Sequence, residues 1–438
     1  MIIMTTAIII VFLVGYLFIT LENNLKVNKT AIALLLSVVM WSLYTFNIDN
    51  YLPAGTEFGE MFLRHVGDTS EIIFFLLGAM TIVEVVDTNG GFNFVRNKLA
   101  SKSKHSLLWK IIIITFFLSA ILDNLTTSIV MVMVLRKLVR SKVTRMLYCG
   151  MVVIAANAGG AFSPIGDVTT IMLWIKGNVT SLGVIKELIL PSLATVLIPG
   201  LILHFNMKGK LQPSDNTSNE GEEYDFSLTQ RNVVFYVGVC GLMFVPFFRG
   251  ITGLPPFMGV ILVLSLLWVI TECFYSRRKI ESNRTKRVSR ILKNIDMSTI
   301  LFFLGILMAV SALEETGALK QFGIMLDQMT GGNHYLVNGI IGVASSVVDN
   351  VPLVASCMGM YSADMGVDFQ PDGIFWQLLA YCAGTGGSIL IIGSAAGVIV
   401  MGLEKISFGW YLKHFSLLAF VAMLSGMGVY FLQRLIFF

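Results

Sequence analysis

The sequence predicts an all-α polytopic membrane protein made of two inverted repeats of five transmembrane helices, each repeat carrying a re-entrant hairpin and a broken helix. Three observations predict it. Of 438 residues, 55% are hydrophobic and only 13% charged, about half the charged share of a soluble domain. Apolar runs of roughly 17–25 residues recur along the chain, the length that spans about 30 Å of hydrocarbon. Five glycines of the first half also return in the second at a constant separation of 227 residues.

Ten crossings follow from the apolar runs. They are Met4–Thr20, Lys29–Phe46, Ser70–Val86, Leu147–Lys176, Val184–Asn206, Arg231–Phe248, Pro256–Phe274, Ser298–Leu313, Phe375–Glu404 and Trp410–Leu432. The first has no basic region before it and no small-residue cleavage site, so it reads as a retained helix. Two further stretches, 107–135 and 335–360, are interrupted by Asp123-Asn124 and by Asp349-Asn350-Val351-Pro352. Neither arm of either stretch is expected to be long enough to cross.

Charge assigns their openings. Arg96, Lys98, Lys102 and Lys104 precede the first stretch, and Arg136, Lys137, Arg140, Lys142 and Arg145 follow it. A hairpin that enters and returns keeps both basic clusters in the cytoplasm, as positive loops prefer. The second stretch is flanked by Asp327, Asp364, Asp368 and Asp372, so it opens from outside. The basic loop 277–293 is cytoplasmic by the same rule, and counting back from it puts the N-terminus outside. The expected location is the cell (inner) membrane, with several passes.

The repeats are legible in detail. Gly78, Gly90, Gly159, Gly160 and Gly166 match Gly305, Gly317, Gly386, Gly387 and Gly393, while the Asp-Asn pairs match with a slip of one residue. The first repeat is 1–206, with its hairpin at 107–135 and a broken helix at 147–176. A cytoplasmic connector occupies 207–230. The second repeat is 231–438, with its hairpin at 335–360 and a broken helix at 375–404. Five crossings is an odd number, so the second repeat is inverted, a pattern that marks secondary transporters with a site near the midplane.

Asp123 and Asp349 carry the strongest chemical signal. A carboxylate deep in a membrane costs roughly 2.5–3.5 kcal/mol on insertion scales. Capping a helix is one use for it, but Ser or Asn would cap at less cost, and both repeats use Asp-Asn. The second signal runs from Asn157 to Thr170. Gly159, Gly160, Pro164 and Gly166 do not suit a helix interior, and a break there offers oxygens from Asn157, Ser163, Asp167, Thr169 and Thr170. The partner break, Gly384–Gly397, offers Thr385, Ser388 and Ser394, with Ser394 at the position of Asp167. Asp167 could also serve as the cap of the helix that follows, and the glycines could serve close helix packing. Hard cations take all-oxygen ligands of this kind, and a desolvated carboxylate readily holds a proton instead. Glu84, inside the third crossing, is a candidate for a proton path or for an interfacial ion pair. The five histidines fall near helix ends and read as surface residues.

At DNLTTS from Asp123, ANAGGAFSPIGDVTT from Ala156, DNVP from Asp349 and AGTGGSILIIGSAAG from Ala383, the chain resembles the NhaD-type sodium/proton antiporters of the ion transporter superfamily. The resemblance covers nearly the whole chain. It implies exchange of sodium or lithium for protons, a homodimer in the lipid bilayer, and a scaffold holding a mobile transport region. The implied site residues are Asp123, Asn124, Thr126, Thr127, Asn157, Asp167, Thr169, Asp349, Asn350, Ser388 and Ser394, with sodium on Asp123, Asp167 and Asp349.

Other function classes fit less well. A carrier of di- or tricarboxylates or oxyanions needs neutral or positive hairpin tips, and these are acidic. An intramembrane aspartyl protease needs Gly-x-Gly-Asp, but Pro164 stands where the first Gly should be. No enzyme activity and no cofactor are expected, only transported sodium or lithium and protons. Five cysteines, scattered in apolar segments, suggest neither disulfides nor a metal cluster. The net charge of +4 sits in loops and suggests no nucleic-acid partner.

Overall fold

A computed structural model describes residues 2–20, 26–52, 57–92, 99, 101, 103–207, 226–277 and 287–437. Most of the 207–230 connector lies outside these residues, as do Arg96, Lys98, Lys102 and residues 278–286 of the basic loop. The described residues form helices and no β-strand.

In chain order the helices are α1 Ile2–Thr20, α2 Lys29–Thr45, α3 Ile48–Tyr51, α4 Phe58–Thr88, α5 Lys104–Leu122, α6 Asn124–Leu138, α7 Lys142–Ala161, α8 Val168–Ile175, α9 Ser181–Asn206 and α10 Leu228–Thr252. They continue as α11 Pro256–Arg277, α12 Val288–Ile291, α13 Met297–Glu315, α14 Ala318–Thr330, α15 His334–Ala344, α16 Asn350–Met360, α17 Ile374–Gly386, α18 Ala395–Glu404, α19 Phe408–Tyr411 and α20 Leu417–Phe437. A π-helical turn joins the last two. Among the described residues, seven helices are long and apolar enough to cross a membrane, counting α19 through α20 as one. The protein is a multi-pass membrane protein.

Three details differ from the sequence reading. The hairpin arm α5 has 19 residues and is long enough to cross, because the helix begins at Lys104 and runs through Lys110. Helix α4 starts twelve residues before Ser70, adding turns that carry Glu60, Arg64, His65 and Asp68. His65 is buried rather than on the surface, and its Nε2 lies 2.7 Å from Glu315. Hydropathy misses these turns because they are polar, and their groups pair with residues far along the chain: Arg64 and His65 with Glu315, Asp68 with Lys176.

The helices pack as two sets. In the first, α2 lies along α13 and α1, and α4 lies along α11 and α13. In the second, α5 and α6 pack on α7, α15 packs on α17, α9 packs on α7 and α20, and α6 packs on α18. The sets meet chiefly where α13 touches α16, with smaller contacts of α10 on α5 and of α4 on α8.

Close approach explains the glycines of the breaks. A Cβ on Gly159 would strike the carbonyl oxygen of Phe116, and one on Gly386 would strike that of Gly342. Each broken helix thus lies backbone to backbone against the first arm of its hairpin, a packing only small residues permit. Two hydroxyls tie the same joints: Ser119 donates to the carbonyl of Ala156 at 2.6 Å and Ser345 to that of Ala383 at 2.7 Å. The intrahelical glycines therefore serve packing, and the breaks themselves occupy 162–167 and 387–394.

Candidate ion-binding site

The two hairpin tips differ. In the first, one residue separates α5 from α6, and that residue is Asp123, with φ +120 and ψ 163. This backbone region is almost exclusive to glycine and strained for any other residue. In the second, 345–348 form a turn before Asp349, whose φ is −51.

All three aspartates cap helices. Asp123 Oδ1 accepts the backbone N–H of Thr126 at 2.6 Å, and its Oδ2 accepts the Thr126 hydroxyl at 3.0 Å. Asp349 Oδ1 accepts the N–H of Val351 at 3.3 Å. Asp167 Oδ1 accepts the N–H of Thr169 at 3.2 Å. Capping leaves each carboxylate an oxygen that can serve elsewhere, and the three use it differently.

Asp167 is at the centre. Its Oδ2 accepts from Asn124 Nδ2 at 3.2 Å and from Asn350 Nδ2 at 3.4 Å, so the asparagines of both tips converge on one oxygen. Asn124 Nδ2 also reaches Asn157 Oδ1 at 3.2 Å. Asn157 in turn donates to Ser388 Oγ and Ser394 Oγ, each at 2.9 Å. Asn124, Asn157, Asp167, Asn350, Ser388 and Ser394 form one buried network across both breaks and both tips. Thr127 buries a hydroxyl with no hydrogen-bond partner, and Thr169 buries one beside the Asp167 carboxylate, out of hydrogen-bond geometry. Both hydroxyl oxygens are free to accept a further partner.

The remaining candidates lie outside this network. The Asp123 side chain and Thr126 are bound to each other. Asp349 pairs through Oδ2 with Lys29 Nζ at 3.1 Å. No three His, Cys, Asp or Glu side chains gather at one point among the described residues, so the centre holds one carboxylate surrounded by amides and hydroxyls. Glu84 takes long hydrogen bonds from Asn294 at 3.4 Å and Thr88 at 3.5 Å.

Sequence reasoning missed Lys29, which sits at the start of α2 and is 320 positions from its partner. Its one signal was a lone base at the edge of an apolar run. It also missed the role of Glu404, the last residue of the predicted crossing Phe375–Glu404, which is buried between Arg136 Nε at 2.6 Å and Arg145 Nε at 2.7 Å. A polar cavity of about 420 Å³ lies between the two helix sets, lined by Arg64, His65, Asp68, Lys176 and Glu314 together with residues of α8 and α16. Those two helices carry Asp167 and Asn350 at their N-terminal ends.

Helices broken in mid-course, with polar side chains meeting at the breaks inside an apolar bundle, define a secondary transporter. The model of the family described as "Citrate transporter" matches residues 8–379. "Sodium/proton antiporter 1" of Arabidopsis thaliana is 45% identical over 97% of this chain and 72% of its own length. "Sodium/proton antiporter 2" of the same plant is 42% identical over 96% of this chain and 98% of its own length. "Na(+)/H(+) antiporter NhaD" of Vibrio cholerae is 30% identical over 90% of this chain and 84% of its own length. The chain belongs to this family of ion transporters, with the NhaD-type antiporters among its members.

Proposed function

We propose that the protein exchanges sodium, and lithium as well, for protons by competition at membrane-embedded carboxylates with alternating access. The observation that carries this reading is Asp167 Oδ2, one buried carboxylate oxygen on which both hairpin tips converge. An Asn that donates from Nδ2 keeps Oδ1 as a cation ligand, and the serine and threonine hydroxyls complete an oxygen set of the kind hard cations take. Deprotonated, Asp167 attracts sodium; protonated, it no longer does. Asp123 and Asp349 flank it and contribute charge, and Glu84 is the first alternative carrier for the proton.

The alternating step is a movement of the second helix set, with the hairpins and broken helices, against the first. The matching joints Ser119–Ala156 and Ser345–Ala383 support the repeat division at 1–206 and 231–438. In this reading the protein is a homodimer in the cell membrane with its N-terminus outside, and the first hairpin opens from the cytoplasm.

The family description favours one rival, a carrier of citrate-like anions. A lone carboxylate at the centre of the site repels such cargo. Dequenching of a pH-gradient dye in everted vesicles tests both. Sodium and lithium should dissipate the gradient while potassium and citrate do not; a response to citrate alone would reverse the assignment.

A further inference from the structure

Lys29 joins the two helix sets at the site. The start of α2 is fixed to the start of α13: Asn28 caps α2 by accepting the N–H of Thr30 at 2.8 Å, Asn28 Nδ2 donates to Ser298 Oγ at 3.1 Å, and the Thr30 hydroxyl donates to the Ser298 carbonyl at 2.9 Å. From this anchored base the Lys29 ammonium stands over the Phe302 ring, 4.4 Å from its centroid, and meets Asp349 Oδ2 at 3.1 Å. Tyr16 of α1 adds a hydrogen bond to the Asp349 carbonyl at 3.4 Å. On the far side, the next residue, Asn350, reaches Asp167. Asp349 is therefore the point where the first helix set grips the second hairpin tip. Each of its carboxylate oxygens has a partner, Oδ1 on the helix N–H and Oδ2 on Lys29.

A lysine ammonium is a compact, strongly hydrated point charge, the same kind of group electrostatically as a bound monovalent cation. We propose that Lys29 is a tethered competitor for the transported cation: its ammonium holds Asp349 and with it the second hairpin tip against α2 and α13, until sodium takes Oδ2 and frees the tip to move. The proposal rests on sodium being the cargo. It makes Lys29 a positioning residue whose charge lowers apparent sodium affinity, the opposite of what a merely structural lysine would do.

The test is calorimetric sodium titration of the purified full chain at one fixed alkaline pH. With a third of the Lys29 side chain exposed, at 33%, the pair is of modest strength, so Lys29→Gln should tighten sodium binding by about three- to fivefold. Lys29→Arg keeps the charge and should stay within about twofold of the parent. Lys29→Met gives the same information as the Gln variant should that one fail to fold. Sodium affinity unchanged or weakened in the neutral variants, with the parent binding sodium, would overturn the competitor role alone. A parent protein that binds no sodium would overturn both this role and the exchange reading.

Discussion

Asp167→Asn separates a ligand from a cap, and the geometry sets what to expect. The carboxylate accepts on both oxygens: Oδ1 from the Thr169 N–H, Oδ2 from Asn124 and Asn350. An Asn side chain has one acceptor and one NH2. Whichever way it turns, the NH2 faces a donor. Facing Thr169, it loses the cap, a cost of about 1 kcal/mol. Facing the two asparagines, it leaves buried donors unmatched at about 1–3 kcal/mol each. The first orientation is cheaper, so folding should weaken by only about 1 kcal/mol. The charge is lost in either case. A hydrogen-bonded charged group is worth about 1.5–3 kcal/mol, so sodium affinity should fall by at least about tenfold. Thermal unfolding without sodium reads the first quantity, and calorimetric sodium titration with vesicle exchange reads the second. Sodium binding and exchange within about twofold of the parent, alongside the small loss of stability, would reduce Asp167 to a cap and refute the reasoning.

Other expectations can be checked alongside. Asp123→Gly removes a carboxylate but suits φ +120, so it should be more stable than Asp123→Ala by about 1 kcal/mol or more in thermal unfolding, while neither exchanges sodium; equal stability would mean the backbone there is unstrained. Asp349→Asn should abolish exchange with the protein still inserted, and Glu84→Gln should be milder; complete loss in the latter would move Glu84 into the proton path. Single cysteines at Lys142 and Asp368 should be labelled only from the cytoplasm and only from outside, respectively; labelling from one shared face would end the topology proposed for the hairpins.

Much of the architecture was legible because membrane helices announce themselves by apolar length, and because Asp-Asn and Gly-rich interruptions stand out inside such runs. The convergence of Asn124, Asn157, Asp167, Asn350, Ser388 and Ser394 follows from motifs that recur at matching positions of the chain. What stayed hidden depends on partners far apart in sequence or on backbone angles. Neither the Lys29 nor the Glu404 ion pair could be seen, because their partners lie hundreds of positions away. Helix α14 is amphipathic and lies between turns, so no apolar window reveals it. The +120 φ of Asp123 has no residue signature, since glycine would be the expected occupant. Cap and ligand, posed as alternatives from the sequence, are compatible in the structure because a carboxylate has two oxygens.

Shared-site competition is tested most directly by sodium affinity across a pH series on the purified protein. Protonated carboxylates must release their protons before sodium binds, so affinity should fall as pH falls through the range in which the site titrates. One displaced proton weakens binding by up to about tenfold per pH unit, and two by up to about a hundredfold. An affinity independent of pH, in protein that still exchanges sodium for protons, would contradict the account and require a separate proton carrier.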